Sequence, residues 1–175
     1  MKLDSEVLEV IFTNNGNDLR TITDKNCVML VFLRHFGCVF CRESLNDFAL
    51  IKGELANKNI KLVFVHMGDE QIADKYFDQF DLKGQEHISD PDLSLYEYFG
   101  LHKGSFRELY GLKVWMRLIV QKNSGEVQKK LGNIKQMPGE FLIRNGKIIN
   151  SFIHKSAADK PDYIELANCI DLSCS

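Results

Sequence analysis

The chain has 175 residues, 45% of them apolar and 26% charged, which is typical of a globular protein with one hydrophobic core. Its net charge of −2 gives no electrostatic reason to expect a nucleic acid or an anionic membrane surface as partner. No apolar run approaches the ~20 residues of a membrane span, and the first residues do not resemble a secretory signal. We therefore expect a single cytoplasmic domain over residues 1–175, with neither a nucleic-acid nor a membrane partner.

The N-terminal residues predict a β-hairpin. Residues 7–12 alternate loosely between apolar and polar and predict a strand, and the turn-forming residues Asn14–Asn17 follow it. Leu19–Ile22 then predicts a short partner strand. Cys27 opens the next strand, where we interpret it as a small buried hydrophobic residue.

A change of periodicity places the Cys-x-x-Cys sequence. Residues 28–33 are all apolar and predict a strand that is buried on both faces. After Cys41, apolar residues recur every three or four positions through Leu55, which predicts a helix. Lys61–His66 predicts a second buried strand, so that the two strands and the helix form a right-handed parallel βαβ unit. The order predicts that Cys38 and Cys41 lie at the N-terminus of a helix.

The remaining elements complete a predicted α/β fold. A helix over 69–80, a strand over Glu86–Ser89 and a helix over Leu93–Phe99 that stops at Gly100 are followed by a helical insertion around 101–136. This insertion either packs on the domain or covers the dithiol as a lid. The dipeptide Asn145-Gly146 predicts a hairpin, and a helix over 162–170 follows Pro161. Together they predict a thioredoxin-like fold, a central mixed β-sheet flanked by helices, with the N-terminal hairpin and the insertion added.

The two cysteines predict a redox dithiol. A thiolate at a helix N-terminus is stabilised by the helix dipole, and Arg34, His35 and Arg42 are candidates for further positive charge. One cysteine would attack a peroxide or a disulfide, and the other would close a Cys38–Cys41 disulfide. A zinc site is the weaker interpretation, because a second cysteine pair is missing and histidines would have to complete the ligands. We expect neither a metal nor a cofactor.

Three segments resemble a known family. They are Phe32–Glu43, with Arg-x-x-x-Cys-x-x-Cys-Arg-Glu; Ser89–Leu101, with Asp-Pro and Tyr-x-x-Phe-Gly; and Gln136–Ile143, followed by Gly146-Lys147. The sequence resembles the AhpC/TSA-like antioxidant family, in particular its peroxiredoxin-like 2 branch. The resemblance implies a thioredoxin fold, redox-active cysteines, a peroxide, endoperoxide or disulfide substrate, and a thioredoxin- or glutathione-type reductant.

Several alternatives stay open at this stage. The attacking cysteine is Cys38 if the site follows thioredoxins and Cys41 if it follows peroxiredoxins. Pro138, next to Met137, either faces the substrate as the cis-proline of thioredoxins does or is a plain turn residue. Cys174 is a weaker candidate for a resolving role. The protein is expected to be a monomer or a homodimer, and either an oxidoreductase or a thioredoxin-fold redox sensor or binding protein without turnover.

Overall fold

The computed structural model describes residues 1–104 and 133–168. Its elements, in chain order, are α1 (Ser5–Glu9), α2 (Leu19–Lys25), β1 (Cys27–Phe32), α3 (Val39–Asn57), β2 (Ile60–His66), α4 (Glu70–Gln79), β3 (Glu86–Ser89), α5 (Ser94–Tyr98), β4 (Gly139–Arg144), β5 (Lys147–Ile153) and α6 (Tyr163–Leu166). Within these ranges, none of the helices is both long enough and apolar enough to cross a membrane.

The five strands form one mixed sheet in the order β3-β2-β1-β4-β5. Strand β1 pairs in parallel with β2, and β2 pairs in parallel with β3. Strand β4 is antiparallel both to β1 and to β5. The fold is therefore the predicted thioredoxin-like one, with helices on both faces of a mixed sheet.

Strand β1 lies at the centre of the sheet and divides the core into two layers. Every residue of this strand is buried, and its side chains alternate between the two faces, as the pleat of a strand requires. Met29 and Val31 pack with apolar residues of α3, α4 and α6. Val28 and Leu30 pack with apolar residues of α1, α2 and α5. A continuous apolar run predicts this two-sided burial, and the prediction is confirmed.

The βαβ unit follows the predicted pattern closely. Leu45, Phe48 and Leu55 are the buried residues of α3 that the apolar periodicity indicated, and they pack beneath the sheet. The helix ends at Asn57 with Lys58 as its C-cap, and Asn59 turns the chain with a φ of 56° before β2 begins. The predicted helix and the predicted second strand are confirmed.

The later elements also agree with the sequence patterns. Helix α4 has its N-cap at Asp69, whose carboxylate accepts a hydrogen bond from the backbone N–H of Ile72. Gly100 follows α5 with a φ of 73°, which is the conformation expected of a helix-ending glycine. In the turn between β4 and β5, Asn145 and Gly146 both have positive φ, 49° and 65°, as a tight hairpin turn demands.

The predicted N-terminal hairpin is wrong, because the short helices α1 and α2 form in this part of the chain instead of two paired strands. Asp4 and Asp18 cap them, and the two carboxylates accept hydrogen bonds from the backbone N–H groups of Glu6 and Thr21. The first backbone N–H groups of a helix have no partner within the helix, and these two carboxylates supply one. Of the expected hairpin, an isolated antiparallel bridge between Phe12 and Asp18 remains, closed by the predicted turn.

Two further predictions reach beyond the described residues. Most of the insertion predicted around 101–136, residues 105–132, lies outside them, as do Cys169 and Cys174. The insertion's two described ends meet in a bridge between Lys103 and Gln136.

Helix α6 begins at Tyr163 rather than at residue 162, because Asp162 is its N-cap and accepts hydrogen bonds from two backbone N–H groups.

Candidate active site

Cys38 and Cys41 lie at the start of α3, directly after the loop that follows β1. Cys38 is the N-cap residue, with a backbone φ of −81° and ψ of 129°, and Cys41 lies in the first turn. The loop is closed by a hydrogen bond from the Cys38 N–H to the carbonyl of His35. Both side chains are buried, and the structure contains them as two thiols rather than as a disulfide. The sequence therefore predicts the position of this dithiol correctly.

The buried side chain of Arg34 connects the dithiol to the segment before β4. Its Nη1 donates to the Cys38 Sγ at 3.0 Å, and its backbone N–H donates to the Cys41 Sγ at 3.1 Å. The guanidinium also donates to the carbonyls of Gln136, at 3.1 Å, and Ile134, at 2.5 Å. Because two carbonyls hold the guanidinium, its third contact is directed at the sulfur of Cys38.

These contacts separate the acidities of the two thiols. A hydrogen bond from the Cys41 thiol, the charge of Arg34 and the N–H groups of the first helical turn lower the pKa of Cys38 to about 6, against the opposing effect of burial. Burial raises the pKa of Cys41 well above its usual value, and its hydrogen bond to Cys38 raises it further. At pH 7, Cys38 is therefore mainly a thiolate and Cys41 a thiol.

The other two candidate cations do not act on the sulfurs as expected. Burial and the neighbouring charge of Arg34 lower the pKa of His35 to about 4, so that its ring is neutral at pH 7. The expectation that His35 adds positive charge is therefore corrected. Arg42 is exposed, and its guanidinium carbon lies 5.8 Å from the centre of the Phe80 ring. Of the three candidates, Arg34 is the one in contact with a sulfur atom.

A cavity opens beside Cys41. The cavity is open to solvent. Its lining includes Cys41 and Arg34 on one side and Pro138, Glu140 and His154 on the other. Cys41 therefore has room beside it for a small molecule, whereas Cys38 is not among the residues that line this cavity.

Pro138 and Met137 have different environments. Pro138 lines the cavity, but the peptide bond before it is trans, so it does not reproduce the cis-proline of thioredoxins. Met137 is fully buried, and its N–H donates to the carbonyl of His102. Of the two residues predicted to face the substrate, Pro138 borders the cavity, whereas Met137 is not among the residues that line it.

A family profile described as AhpC/TSA antioxidant enzyme matches residues 48–156 of this chain. The chain belongs to this family. It is a peroxiredoxin-like oxidoreductase with a thioredoxin fold, as the sequence resemblance predicts. The match begins after Cys41, and the case for the dithiol itself therefore rests on the geometry of α3 and Arg34.

Relatives and solved structures agree with membership of the AhpC/TSA family. The chain is 29% identical over 168 residues to a prostamide/prostaglandin F synthase of Danio rerio, covering 90% of this chain and 81% of that protein. The human protein of the same name is 26% identical over 159 residues, covering 87% of this chain and 79% of that protein. Peroxiredoxin Q of Xanthomonas campestris superposes with a TM-score of 0.64 at 16% identity, over 88% of this chain and 85% of that one. This last likeness shows a shared fold.

The AhpC/TSA chain also has site residues that the sequence did not reveal. Glu140 and His154 form a buried pair at the cavity. A clue was available, because a glutamate directly before the apolar residues Phe141–Ile143 falls within a buried strand and needs a partner there. Tyr96, whose hydroxyl lies 2.5 Å from the carbonyl of Leu33, supports the end of β1.

Proposed function

We propose that the protein is a dithiol oxidoreductase in which Cys38 attacks the substrate and Cys41 resolves the intermediate. The observation that carries this proposal is the contact of the Arg34 guanidinium with Cys38, 3.0 Å away at the helix N-cap. It supports Cys38 as the nucleophile because a thiolate, not a thiol, attacks oxygen or sulfur. The buried Cys41, which is still protonated at pH 7, suits the second step.

The proposed cycle passes two electrons from the two thiols to the substrate. With a peroxide, the Cys38 sulfur forms a bond to one oxygen, the O–O bond breaks, and the other oxygen leaves and takes a proton from solvent. The Cys41 thiol then loses its proton and its sulfur attacks the Cys38 sulfur, which forms the disulfide. The first oxygen leaves with a proton as water, or as an alcohol when the substrate is an endoperoxide. A disulfide substrate follows the same path, with sulfur in place of oxygen. A thioredoxin- or glutathione-type thiol returns the two electrons to the Cys38–Cys41 disulfide.

The substrate class extends to peroxides, endoperoxides and disulfides. Endoperoxides are included because the resemblance to the peroxiredoxin-like 2 branch implies them, and because the curated relatives bear the name prostamide/prostaglandin F synthase. We further propose that the protein works in the cytoplasm, where cellular thiols keep a dithiol reduced, as a monomer or a homodimer.

Differential alkylation with peptide mass mapping tests this proposal. The reduced protein is treated with one equivalent of hydrogen peroxide, an alkyl hydroperoxide or a small disulfide, and the state of each cysteine is read over time. We expect Cys38 and Cys41 to pass from two thiols to one internal disulfide that a thioredoxin-type donor reduces. If no oxidant closes this bond, the protein is a redox-inert binding protein; if closure occurs without repeated turnover, it is a sensor.

Two serine variants assign the order of the steps. In Cys41→Ser, Cys38 should still attack a disulfide probe, but the reaction should stop at a mixed disulfide on Cys38. Cys38→Ser should react with the probe far more slowly, since the remaining thiol of Cys41 is buried and protonated. If Cys38→Ser instead reacts as fast as the unchanged protein, Cys41 is the nucleophile and the proposed order is reversed.

A further inference from the structure

Glu140 and His154 form a buried acid–base pair that the proposed cycle does not yet use. The two side chains are 2% and 3% exposed. His154 Nε2 lies 3.1 Å from one carboxylate oxygen of Glu140 and 3.0 Å from the other, so that it donates to the carboxylate. With Nε2 as donor, the remaining nitrogen, Nδ1, is an acceptor in a neutral ring, and it is buried without a hydrogen-bond partner among the described residues.

The pair and Cys41 border the same cavity. Glu140, His154 and Cys41 all contribute to its lining, and both Glu140 and Cys41 act through their charge on the nearby phenol of Tyr163. Burial raises the pKa of Glu140, an effect that its hydrogen bond to His154 partly opposes. A raised carboxyl pKa in a cleft is typical of proton-transfer sites, although ion-pair networks also produce it.

Other charged and polar groups also line this cavity, and none of them is a histidine. The charged or polar groups that line it, apart from the pair itself, are Arg34, Glu43, Ser44, Asp47, Asp159 and Lys160. Arg34 is bound to Cys38 and two carbonyls, and Lys160 pairs with Asp47 at 2.6 Å. Asp159 accepts two backbone N–H groups. The Glu140–His154 pair is therefore the candidate in this lining with an unused proton-accepting nitrogen.

The second step of the cycle needs such an acceptor. Cys41 must lose its proton before its sulfur can attack Cys38, because a thiolate is the attacking species in disulfide exchange. Burial holds Cys41 in the thiol form, and Cys38 has become a neutral sulfur by that stage. No thiolate is then left beside Cys41 to receive its proton.

We propose that the Glu140–His154 pair accepts the proton of Cys41 across the cavity, and so promotes closure of the Cys38–Cys41 disulfide. The inference rests on the proposed function. The S–H bond of Cys41 breaks, and the proton passes to Nδ1 of His154, whose new positive charge is balanced by the Glu140 carboxylate. The Cys41 sulfur forms the S–S bond, and the leaving group departs from Cys38 with the electron pair of the broken bond. The pair then releases its proton to the solvent that enters the cavity.

Single-turnover kinetics with an aromatic disulfide test this inference. Dithiobis(nitrobenzoic acid) is mixed with the reduced protein, the reaction is quenched in acid, and peptide mass mapping follows two species. The first is the mixed disulfide on Cys38, which reports attack; the second is the Cys38–Cys41 disulfide, which reports closure. Glu140→Gln keeps the size of the side chain and removes its charge, and His154→Gln removes the basic ring.

The matched control is Glu86→Gln. Glu86 is also a buried carboxylate, bound to Lys61 at 2.7 Å and to Asn17 at 2.8 Å, but it lies in β3, three places from β4 in the sheet. We expect closure at pH 7 to slow at least about tenfold in Glu140→Gln and in His154→Gln, since general base catalysis contributes about 10²–10⁴ in rate. Attack by Cys38 and both rates in Glu86→Gln should stay as in the unchanged protein.

The dependence on pH separates a proton-transfer role from a structural one. In the unchanged protein, the closure rate should rise with pH and level off once the pair is deprotonated. In the two variants it should keep rising, so that the difference narrows at high pH. The inference is overturned if closure in Glu140→Gln and His154→Gln is as fast as in the unchanged protein, or if attack and closure slow equally in these variants. It is also overturned if Glu86→Gln slows closure by the same factor. A closure rate that is simply proportional to hydroxide in the unchanged protein does the same, even if neither variant folds. Absence of any Cys38–Cys41 disulfide in the unchanged protein would instead refute the proposed function.

Discussion

Replacement of Arg34 by methionine should raise the pKa of Cys38 by about one to two units, because an opposite charge within about 4–6 Å favours an ionised acid by about 1–3 units. The guanidinium lies 3.0 Å from the sulfur and is buried, so solvent screens it little. The expected shift corresponds to about 1.4–2.7 kcal/mol of lost thiolate stabilisation. This shift should be smaller than the whole difference between the usual thiol pKa of 9.0 and the value of about 6, because the Cys41 thiol and the helix N–H groups still hydrogen-bond the Cys38 sulfur.

The assay must follow the pH profile rather than a rate at one pH. With its pKa at about 6, Cys38 is about nine-tenths thiolate at pH 7, and a rise of one to two units leaves about one half to one tenth. A more basic thiolate is also more nucleophilic, by a Brønsted slope of about 0.4–0.5, which nearly cancels the lost population at neutral pH. We therefore expect the midpoint of the iodoacetamide alkylation profile at Cys38 to move upward while the rate at pH 7 changes little.

Arg42→Met is the matched control for this measurement. It removes an identical charge from α3, one residue after Cys41, but its guanidinium is exposed and lies over the Phe80 ring. We expect its midpoint to move by less than about 0.3 units, because exposed charges are strongly screened. A midpoint in Arg34→Met that stays at its original value, or a shift of the same size in Arg42→Met, would refute the role of Arg34. If Arg34→Met is unfolded by circular dichroism, Arg34→Lys, which keeps the charge, should retain most of the low pKa.

Three more predictions concern stability, each measured by denaturant unfolding. Burial and the charge of His87 lower the pKa of His66 from 6.5 to about 3, so between pH 3 and pH 6.5 the unfolded state binds more protons than the folded state. The free energy of unfolding should therefore fall as the pH drops below 6.5, and His66→Gln should make this fall less steep. An unchanged pH dependence in His66→Gln would contradict the role of His66. Tyr96→Phe should cost about 1–2 kcal/mol, because it removes a buried hydroxyl that donates to the end of β1, and a cost near zero would contradict that role. Asn145→Ala should cost about 1 kcal/mol through its positive φ, whereas the same change at exposed Asn46 in α3 should not destabilise the protein.

The sequence predicts the central elements because local and tertiary preferences agree there. Residues 28–33 are apolar without interruption, and a strand in the middle of a sheet with helices on both faces needs that pattern. The Asn145-Gly146 turn is predicted for a similar reason, since its two residues tolerate the positive φ that the tight turn requires. The hairpin expected at residues 7–22 fails because helix caps at Asp4 and Asp18 override a weak alternation.

The sequence predicts the positions of the two cysteines, but not the side-chain contacts around them. The spacing of Cys38 and Cys41 and the start of a helix follow from local sequence. The hydrogen bonds from Arg34 to the carbonyls of Ile134 and Gln136 join residues that are 100 and 102 positions apart in the sequence. No local pattern encodes such a contact. The pairing of Glu140 with His154 across the β4–β5 hairpin is likewise visible once the strands are placed in register.

The anchored guanidinium of Arg34 also bears on the reduction potential of the dithiol. It stabilises the Cys38 thiolate, which exists in the reduced protein and disappears when the disulfide forms. Stabilising the reduced form makes a disulfide a stronger oxidant, by about 30 mV for each 1.4 kcal/mol. Because the guanidinium is held by the carbonyls of Ile134 and Gln136, binding that displaces the segment 134–136 would lower this potential, and a thiolate at Cys38 would in turn hold the segment in place. Redox titration should therefore give Arg34→Met a more negative potential than Arg42→Met, and equal potentials would contradict this coupling.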